Sequence, residues 1–374
     1  MKLPAAETPL KDILVKASNP NLRSVTLFAL SQCGSNASLK ELASAAQKVN
    51  FDFEPTGATE AYIALIKRVL SQGDAKSAES AASNLMKNAE KSGRNQVRES
   101  ALQILMMAKA SDVLKITQKA LKDNNRDYRY AALNFASPYA DKLFYTELVK
   151  VYKKANQDVK IDILNWLCQE SDDVVKQSLI KSLESGLFIT ELSSNNYELK
   201  SSAAHLLAHI GGEDAVSALA NLLNNPDKQT ITLAENLLNT VEGNISPSVA
   251  EIIPSAPEEG KIAGLRLLSN RKSDAYVGTV IEQINNASSE NVRNAAYAVL
   301  KHVVSSKDLP VLYTLLENAQ PDAIAPVQQA ITTALKDADK DTQLKTITGQ
   351  IDKAPVDKKH LYYPVLATTK HPKA

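Results

Sequence analysis

The sequence is poor in glycine, aromatic residues and cysteine, and each shortage argues against a class of fold. Its 374 residues include 12 glycines and 2 cysteines, and aromatic residues make up 5%. Average usage would give about 26 glycines. The composition therefore favours helices over sandwiches, barrels and nucleotide-binding sheets. Two cysteines, Cys33 and Cys168, are too few for a disulfide-stapled scaffold or a cysteine-rich zinc module, and we expect both to be buried.

The chain also lacks an excess of either charge and any long apolar run. Lys and Arg total 43 and Asp and Glu total 42, which leaves a net charge of +1. That balance argues against a general nucleic-acid binder or a polybasic membrane-surface protein. No apolar run approaches the ~18 residues of a membrane span, and residues 1–7 do not resemble a signal peptide. The protein is either cytoplasmic or secreted, with a targeting segment outside the printed sequence.

A repeat of about 31 residues is the main pattern in the chain. A polar turn precedes an apolar–basic pair and an Ala/Leu-rich segment, and the pairs are Val97-Arg98, Tyr128-Arg129, Val159-Lys160, Leu199-Lys200 and Val292-Arg293. The matching positions of successive copies, apolar except for Thr230, are 97, 128, 159, 199, 230, 262, 292 and 327, and they are separated by 31, 31, 40, 31, 32, 30 and 35 residues. Each unit has room for two helices of about 12 residues. The pattern predicts an all-α, right-handed superhelix of about nine to ten stacked helix pairs, one domain over the whole chain.

Local signals agree with these boundaries. Second helices should start near Val113, Glu213 and Leu309. The strand-like stretches 187–190 and 229–233 are interpreted as helix or turn, and the spacing of 40 predicts an insertion near 186–196. The prolines at predicted helix boundaries or in first turns are Pro20, Pro55, Pro138, Pro226, Pro257, Pro310, Pro321 and Pro326.

The spacing of the apolar–basic pairs resembles that of HEAT repeats, a family of helix-pair solenoids. In that family the basic residue opening the second helix contacts the acidic or Asn turn of a neighbouring repeat, which builds a ladder of polar contacts. The matching residues are Arg98, Arg129, Lys160, Lys200 and Arg293. The copies near Ile231, Ala263 and Gln328 lack the base, so we expect the ladder to be interrupted there.

Three runs are similar to the HEAT region of large secreted or periplasmic Bacteroidetes proteins. They are EPTGATEAYIALIKRV at 54–69, RDYRYAALNFA at 126–136 and DILNWL at 162–167. Those proteins carry a downstream jelly-roll domain of the 3-keto-disaccharide hydrolase type and are linked to glycan metabolism. The resemblance implies a periplasmic or secreted fragment of a larger protein. No residue matches a hydrolase motif, so we predict no catalytic residue, cofactor or metal in this region.

Aromatic residues cluster between positions 128 and 166 and are interleaved with basic ones. The candidate binding residues are Tyr128, Arg129, Tyr130, Tyr139, Tyr145 and Trp166. Aromatic side chains are enriched at interfaces and stack on sugar faces, but they also fill wide spaces between helices, and both interpretations stay open. His205 and His209 lie one helical turn apart, a spacing that can bind a metal. Without a third ligand in the repeat, one packed and one surface histidine is the preferred interpretation.

The function predicted from these patterns is a non-catalytic interaction scaffold. Its partner would be another protein or its own downstream β-rich domain, with a glycan as a further candidate and nucleic acid disfavoured. The first alternative is a carbohydrate-binding module that uses the aromatic cluster. The second is a HEAT-type enzyme acting on nucleic acid or pigment, which would need a basic concave face with a catalytic Asp.

Overall fold

The computed structural model describes residues 4–170, 180 and 185–374, and its contacts divide the chain into two compact units, Met1–Leu183 and Glu184–Ala374. In the first unit the described α-helices are α1 Glu7–Lys16, α2 Pro20–Cys33, α3 Leu39–Lys48, α4 Ala58–Ser71, α5 Ala75–Lys91, α6 Asn95–Ala108, α7 Val113–Ala120, α8 Arg126–Ala136, α9 Lys142–Lys154 and α10 Gln157–Glu170. The prediction that the whole chain forms one domain stays a prediction.

The second unit continues the same alternation of helices. Its described α-helices are α11 Ser185–Thr190, α12 Tyr197–Ile210, α13 Glu213–Asn221, α14 Lys228–Thr240, α15 Ser246–Ile252, α16 Glu258–Asn270, α17 Val277–Asn286, α18 Glu290–Val303, α19 Leu309–Glu317, α20 Ile324–Leu335, α21 Lys340–Lys353 and α22 Tyr363–Thr368. The insertion predicted at 186–196 is occupied by α11 and the short 3-10 helix Glu191–Ser193.

Each odd-numbered helix packs against the even-numbered helix that follows it, and the even-numbered helices form a row within each unit. In the first unit α2 contacts α4, α4 contacts α6, α6 contacts α8 and α8 contacts α10. In the second unit the same relation links α12, α14, α16, α18, α20 and α22 in turn. No strand occurs in the described ranges. The predicted fold class, an all-α solenoid of stacked helix pairs, is confirmed.

Helix capping explains the polar turn that recurs in the sequence. Asn125, Asn156 and Asn196 each precede an even-numbered helix, and each accepts a hydrogen bond from the backbone N–H of the third helical residue. That residue is the apolar member of the repeated pair. Since a capping side chain satisfies one of the orphan N–H groups at a helix start, the repeat marks the beginning of the even-numbered helices.

Proline and start signals are placed as predicted. Pro20 is the first residue of α2, Pro257 immediately precedes α16, and Pro310 lies in the first turn of α19. The stretches predicted not to be strands lie in α11 and α14. None of the helices in the described ranges is long and apolar enough to cross a lipid bilayer.

One position of the repeat was assigned wrongly from the sequence. Ile262 was taken as the apolar residue of its copy, but Ile262 is only half-buried, and the third residue of α16 is the buried Gly260. A Cβ atom on Gly260 would lie 2.0 Å from the carbonyl oxygen of Leu223. The helix start therefore approaches the preceding backbone so closely that only glycine fits.

Candidate functional site

Four of the six residues predicted as a binding site are buried between helices of the first unit. Tyr128 and Arg129 are each 4% exposed, Tyr145 is 1% exposed and Trp166 is 0% exposed. As folded, these side chains contact protein atoms and offer no surface to a ligand. Their placement favours core filling over the interpretation as a partner surface.

The rings pack against one another across α9 and α10. Tyr145 and Trp166 are stacked, with ring centroids 5.7 Å apart and planes at 28°. Phe144 tilts against Trp166 at 5.9 Å. The Tyr145 hydroxyl donates a hydrogen bond to Oε2 of Glu170 at 3.0 Å. Because each aromatic pair contributes about 0.5–1.5 kcal/mol beyond its buried area, this cluster stabilises the contact between the two helices.

The remaining two rings of the predicted site, Tyr130 and Tyr139, are half-buried. Burial raises the pKa of the Tyr130 hydroxyl, and a hydrogen bond with the side chain of Gln169 opposes that rise. They are partly accessible to solvent, whereas the other four residues of the predicted site are buried. They do not form an exposed aromatic platform together with Tyr128, Tyr145 or Trp166.

Arg98 is the first ladder residue that contacts the next repeat. Its Nη2 donates a hydrogen bond to the Asp123 carboxylate in the turn before α8 and lies 3.4 Å from Oε1 of Glu90. The guanidinium also lies over the Tyr128 ring, 3.7 Å from its centroid. Burial would raise the pKa of the Asp123 carboxyl, but the hydrogen bond and charge of Arg98 are among the effects that lower it overall. The aromatic cluster and the ladder therefore share residues.

Arg129 makes the most buried ion pair of the first unit's described residues. Its Nε donates to Oδ2 of Asp162 in α10 at 2.6 Å, and the two side chains are 5% and 1% exposed. Its Nη1 donates to the backbone carbonyls of Asp123 at 3.0 Å and Asn124 at 3.2 Å. Arg126, which is largely exposed, donates from Nε to the other Asp162 oxygen at 3.1 Å. Asp162 thus joins two arginines of α8 to the next even-numbered helix.

The ladder continues differently in the second unit. Lys200 at the start of α12 donates from Nζ to Oγ1 of Thr230 at 3.3 Å, so it contacts the next repeat. Thr230 in turn donates to the capping carboxylate of Asp227 at 2.7 Å. A hydroxyl takes the place of the acidic or Asn acceptor that the HEAT resemblance implies.

The last two residues assigned to the ladder have other contacts. Arg293 donates from Nη1 to the carbonyl of Ala287 at 2.6 Å, in the turn before its own helix α18. Lys160 has its ammonium 5.2 Å from the ring centroid of Tyr152, the ring of the preceding helix. The Arg293 contact therefore lies within its own repeat, and the place of Lys160 in the ladder stays a prediction.

His205, His209, Cys33 and Cys168 do not belong to a candidate metal centre in the described part of the chain. His205 and His209 are both exposed on α12, and Nδ1 of His205 lies 2.8 Å from the carbonyl of Ser201. In the part of the chain that the structure describes, no group of three or more His, Cys, Asp or Glu side chains is arranged to hold a metal ion. Cys33 and Cys168 are each half-buried and so are less buried than predicted.

An exposed apolar surface on the first helix pair was missed by the sequence reasoning. It consists of Val15 on α1 and of Leu22, Val25 and Phe28 on α2, and we name it the α1–α2 strip. Their exposed fractions are 79%, 49%, 65% and 66%. The three residues of α2 are spaced by three and so lie on successive turns of one face. That spacing was the available signal, but α2 has other apolar residues that are buried and obscure it.

The helix position of Leu22 is buried in three later even-numbered helices of the first unit, whereas in α4 it is the exposed Glu60. Leu22 is the third residue of α2, and the third residues of α6, α8 and α10 are Val97, Tyr128 and Val159, which are 1%, 4% and 8% exposed. Each of α4, α6 and α8 contacts an even-numbered helix before it and another after it, and α2 contacts α4 after it. Leu22 therefore occupies a position that is buried in several later repeats, and Val25 and Phe28 extend its exposed apolar face.

Comparison with known proteins gives a structural resemblance without a family. No family model matches the chain, and no curated protein matches it. The karyopherin Kap121p is similar at 11% identity and a TM-score of 0.48, over 98% of this chain and 45% of Kap121p. Kap95 from the Kap95:Nup1 complex is similar at 12% identity and a TM-score of 0.43, over 98% of this chain and 61% of that one. An engineered protein is similar at 14% identity and a TM-score of 0.37, over 96% of this chain and 98% of the engineered one.

The chain spans less than half the length of Kap121p. These similarities name neither a family nor a partner for this chain.

Proposed function

We propose that this chain is a protein-interaction scaffold whose first unit presents the α1–α2 strip to a helical segment of a partner protein. The observation that carries the proposal is the exposure of four large apolar side chains on one helix pair. Single exposed apolar residues are ordinary, but a grouped set marks an interaction site. Burying a side chain such as Phe28 or Val25 contributes about 1.5–3 kcal/mol.

A helix is the occupant that the repeat geometry favours. The position of Leu22 is buried in α6, α8 and α10, where the even-numbered helices pack in a row, so the exposed apolar face of α2 has the spacing of a helix-packing surface. Leu22, Val25 and Phe28, spaced by three, form an apolar ridge along α2 against which the apolar face of an amphipathic partner helix can pack. We infer that the partner segment is amphipathic and places an apolar face on the strip.

A photo-crosslinking experiment in cells of the source organism tests this function. We would place p-benzoylphenylalanine at position 28 and identify the crosslinked protein by mass spectrometry. The proposal expects one helical partner protein, whose crosslink is lost when Val25→Glu is added. The matched variant Lys87→Glu, at an exposed position of α5, should leave it unchanged.

Two results would contradict the scaffold proposal. One is the absence of any crosslink from position 28 that depends on Val25. The other is a crosslink only to a second copy of this chain, which would make the strip a self-association surface.

The setting in secreted glycan metabolism, with a downstream β-rich domain as the partner, rests on the resemblance of residues 54–69, 126–136 and 162–167. It stays a prediction, as does a periplasmic or secreted location, and cell fractionation with an antibody to this chain would test the location. The carbohydrate-binding alternative needs exposed coplanar rings, and the burial of Tyr145 and Trp166 does not support it. The expected absence of catalysis in this region also stays a prediction.

A further inference from the structure

A groove of about 540 Å³ lies beside the C-terminal ends of α7 and α9 in the first unit. Its apolar lining includes Leu121 and Val159, which are buried, and Val151, which is half-buried. Its basic lining consists of Lys122, Lys150 and Lys154. The volume is within the range of about 300–1,000 Å³ that is typical of ligand pockets. The groove combines an apolar base with three amines at its edge.

The charge of this groove is unbalanced. Glu147 is the one acidic residue in its lining, and it is paired with Lys150 at 2.6 Å. Within the described ranges, no carboxylate lies within ion-pair distance of Lys122 or Lys154, and both are exposed. A cation in the last turn of a helix is favoured by the helix dipole, which accounts for Lys154 in α9. Lys150, one turn earlier, is held by its ion pair with Glu147, so Lys122 and Lys154 supply the unpaired positive charge of the groove.

We propose that this groove binds an acidic segment of a partner protein that inserts one apolar side chain. The unpaired ammonium groups of Lys122 and Lys154 would contact carboxylates, and the inserted side chain would cover Val151 and its apolar neighbours. A nucleic-acid strand fits less well, because the described lining contains no aromatic ring on which a base could stack. That the partner is a protein rests on the proposed scaffold function. The groove and the α1–α2 strip share no residue, so each can be tested separately.

Fluorescence polarisation with defined peptides tests the groove. The probe is a fluorescein-labelled polyglutamate peptide with one central phenylalanine, and the comparison peptide has serine in its place. We expect saturable binding that is tighter for the phenylalanine peptide and weakens as salt is raised. Lys122→Glu/Lys154→Glu should weaken it by about tenfold or more.

The matched control is Lys119→Glu/Lys142→Glu. It makes the same change of charge at two exposed positions of α7 and α9 that lie outside the groove lining. It should leave the affinity within about twofold of the unaltered chain. Val151→Asp should remove the preference for the phenylalanine peptide, and fluorescence of the buried Trp166 confirms that each variant is folded.

Three results would overturn the groove proposal: no saturable binding of either peptide, equal loss of binding in the control variant, or equally tight competition by an oligonucleotide of matched charge. None of these depends on the α1–α2 strip. If the groove binds the peptide but the crosslink from position 28 fails, the helix-docking proposal falls while the groove proposal stands. If the crosslink succeeds and the peptide does not bind, only the groove proposal falls.

Discussion

Removing the Asp162 carboxylate should destabilise the first unit more than any exposed substitution. Asp162 is 1% exposed and accepts hydrogen bonds from Arg129 at 2.6 Å and Arg126 at 3.1 Å. In Asp162→Ala the Arg129 guanidinium stays buried, and only its Nη1 keeps described acceptors, the two carbonyls of the turn before α8. Breaking a buried pair by removing one partner costs about 3–5 kcal/mol. Arg126 is half-exposed and adds at most about 1 kcal/mol.

A double variant separates the uncompensated charge from the loss of packing. Arg129→Met/Asp162→Leu replaces both charges by apolar side chains of similar length. Because replacing a buried pair by apolar residues is often neutral or stabilising, the double variant should be more stable than Asp162→Ala by about 2 kcal/mol. Glu79→Ala, which removes an exposed ion pair with Lys109 in the same unit, should cost less than about 1 kcal/mol.

The assay uses the chain's single tryptophan. Trp166 is fully buried in α10, one turn after Asp162, so its fluorescence in urea reports unfolding of this region. In a solenoid, unfolding can be local to a few repeats, which makes a local probe preferable to total helicity. The reasoning is refuted if Asp162→Ala lowers the free energy of unfolding by less than about 1 kcal/mol, or if the double variant is no more stable than Asp162→Ala.

Two further predictions concern a tight helix approach and a hydrogen-bonded carboxylate. Gly260→Ala should destabilise the second unit by about 1–3 kcal/mol, because its Cβ would lie 2.0 Å from the Leu223 carbonyl oxygen. Gly349→Ala, where a Cβ meets nothing within 4 Å in α21, should stabilise that unit by about 0.4–1 kcal/mol, and circular-dichroism melting compares the two. Burial would raise the pKa of the Glu7 carboxyl, but hydrogen bonds, with that from Ser38 at 2.6 Å foremost, lower it below its usual 4.5. The resulting stability is present above pH 4.5 and is lost as the pH falls through the lowered pKa. The protection factors of the α1 amides, which correct for the slower intrinsic exchange in acid, should therefore fall at low pH, and Glu7→Gln should show low protection factors at both pH values.

The repeat could be predicted from sequence because each copy has the same physical tasks at the same places. An Asn before the helix caps it, as Asn125 does for Tyr128, and the apolar residue three positions later is buried. Both tasks select residue types that are visible in a single sequence. The wrong prediction of Ile262 as the repeat position has the opposite cause. At Gly260 the task is to leave space for a neighbouring backbone, and a close approach leaves no apolar signal in the sequence.

The candidate surfaces were harder to predict, because exposure depends on which neighbour is present. Leu22, Val25 and Phe28 have the same spacing as a buried helix face, and that spacing alone does not tell whether the face is covered. The groove lined by Lys122, Lys150 and Lys154 combines residues from α7, α9 and the start of α10, so no short window of the sequence contains it. Aromatic density, in contrast, is readable from sequence, but it does not distinguish a ring that binds a partner from one that fills the core.

The overlap between the aromatic cluster and the ladder decides how function in this chain should be tested. The Tyr128 ring is covered by Arg98, Arg98 is paired with Asp123, and Trp166 is packed in α10 beside Tyr145. Trp166→Ala would therefore empty a buried site at a cost of about 3–5 kcal/mol. A loss of oligosaccharide binding in that variant would be indistinguishable from a loss of structure. Substitutions of Val25 in the α1–α2 strip and of Lys122 and Lys154 in the groove alter exposed side chains, so a change in binding there can be assigned to the surface itself.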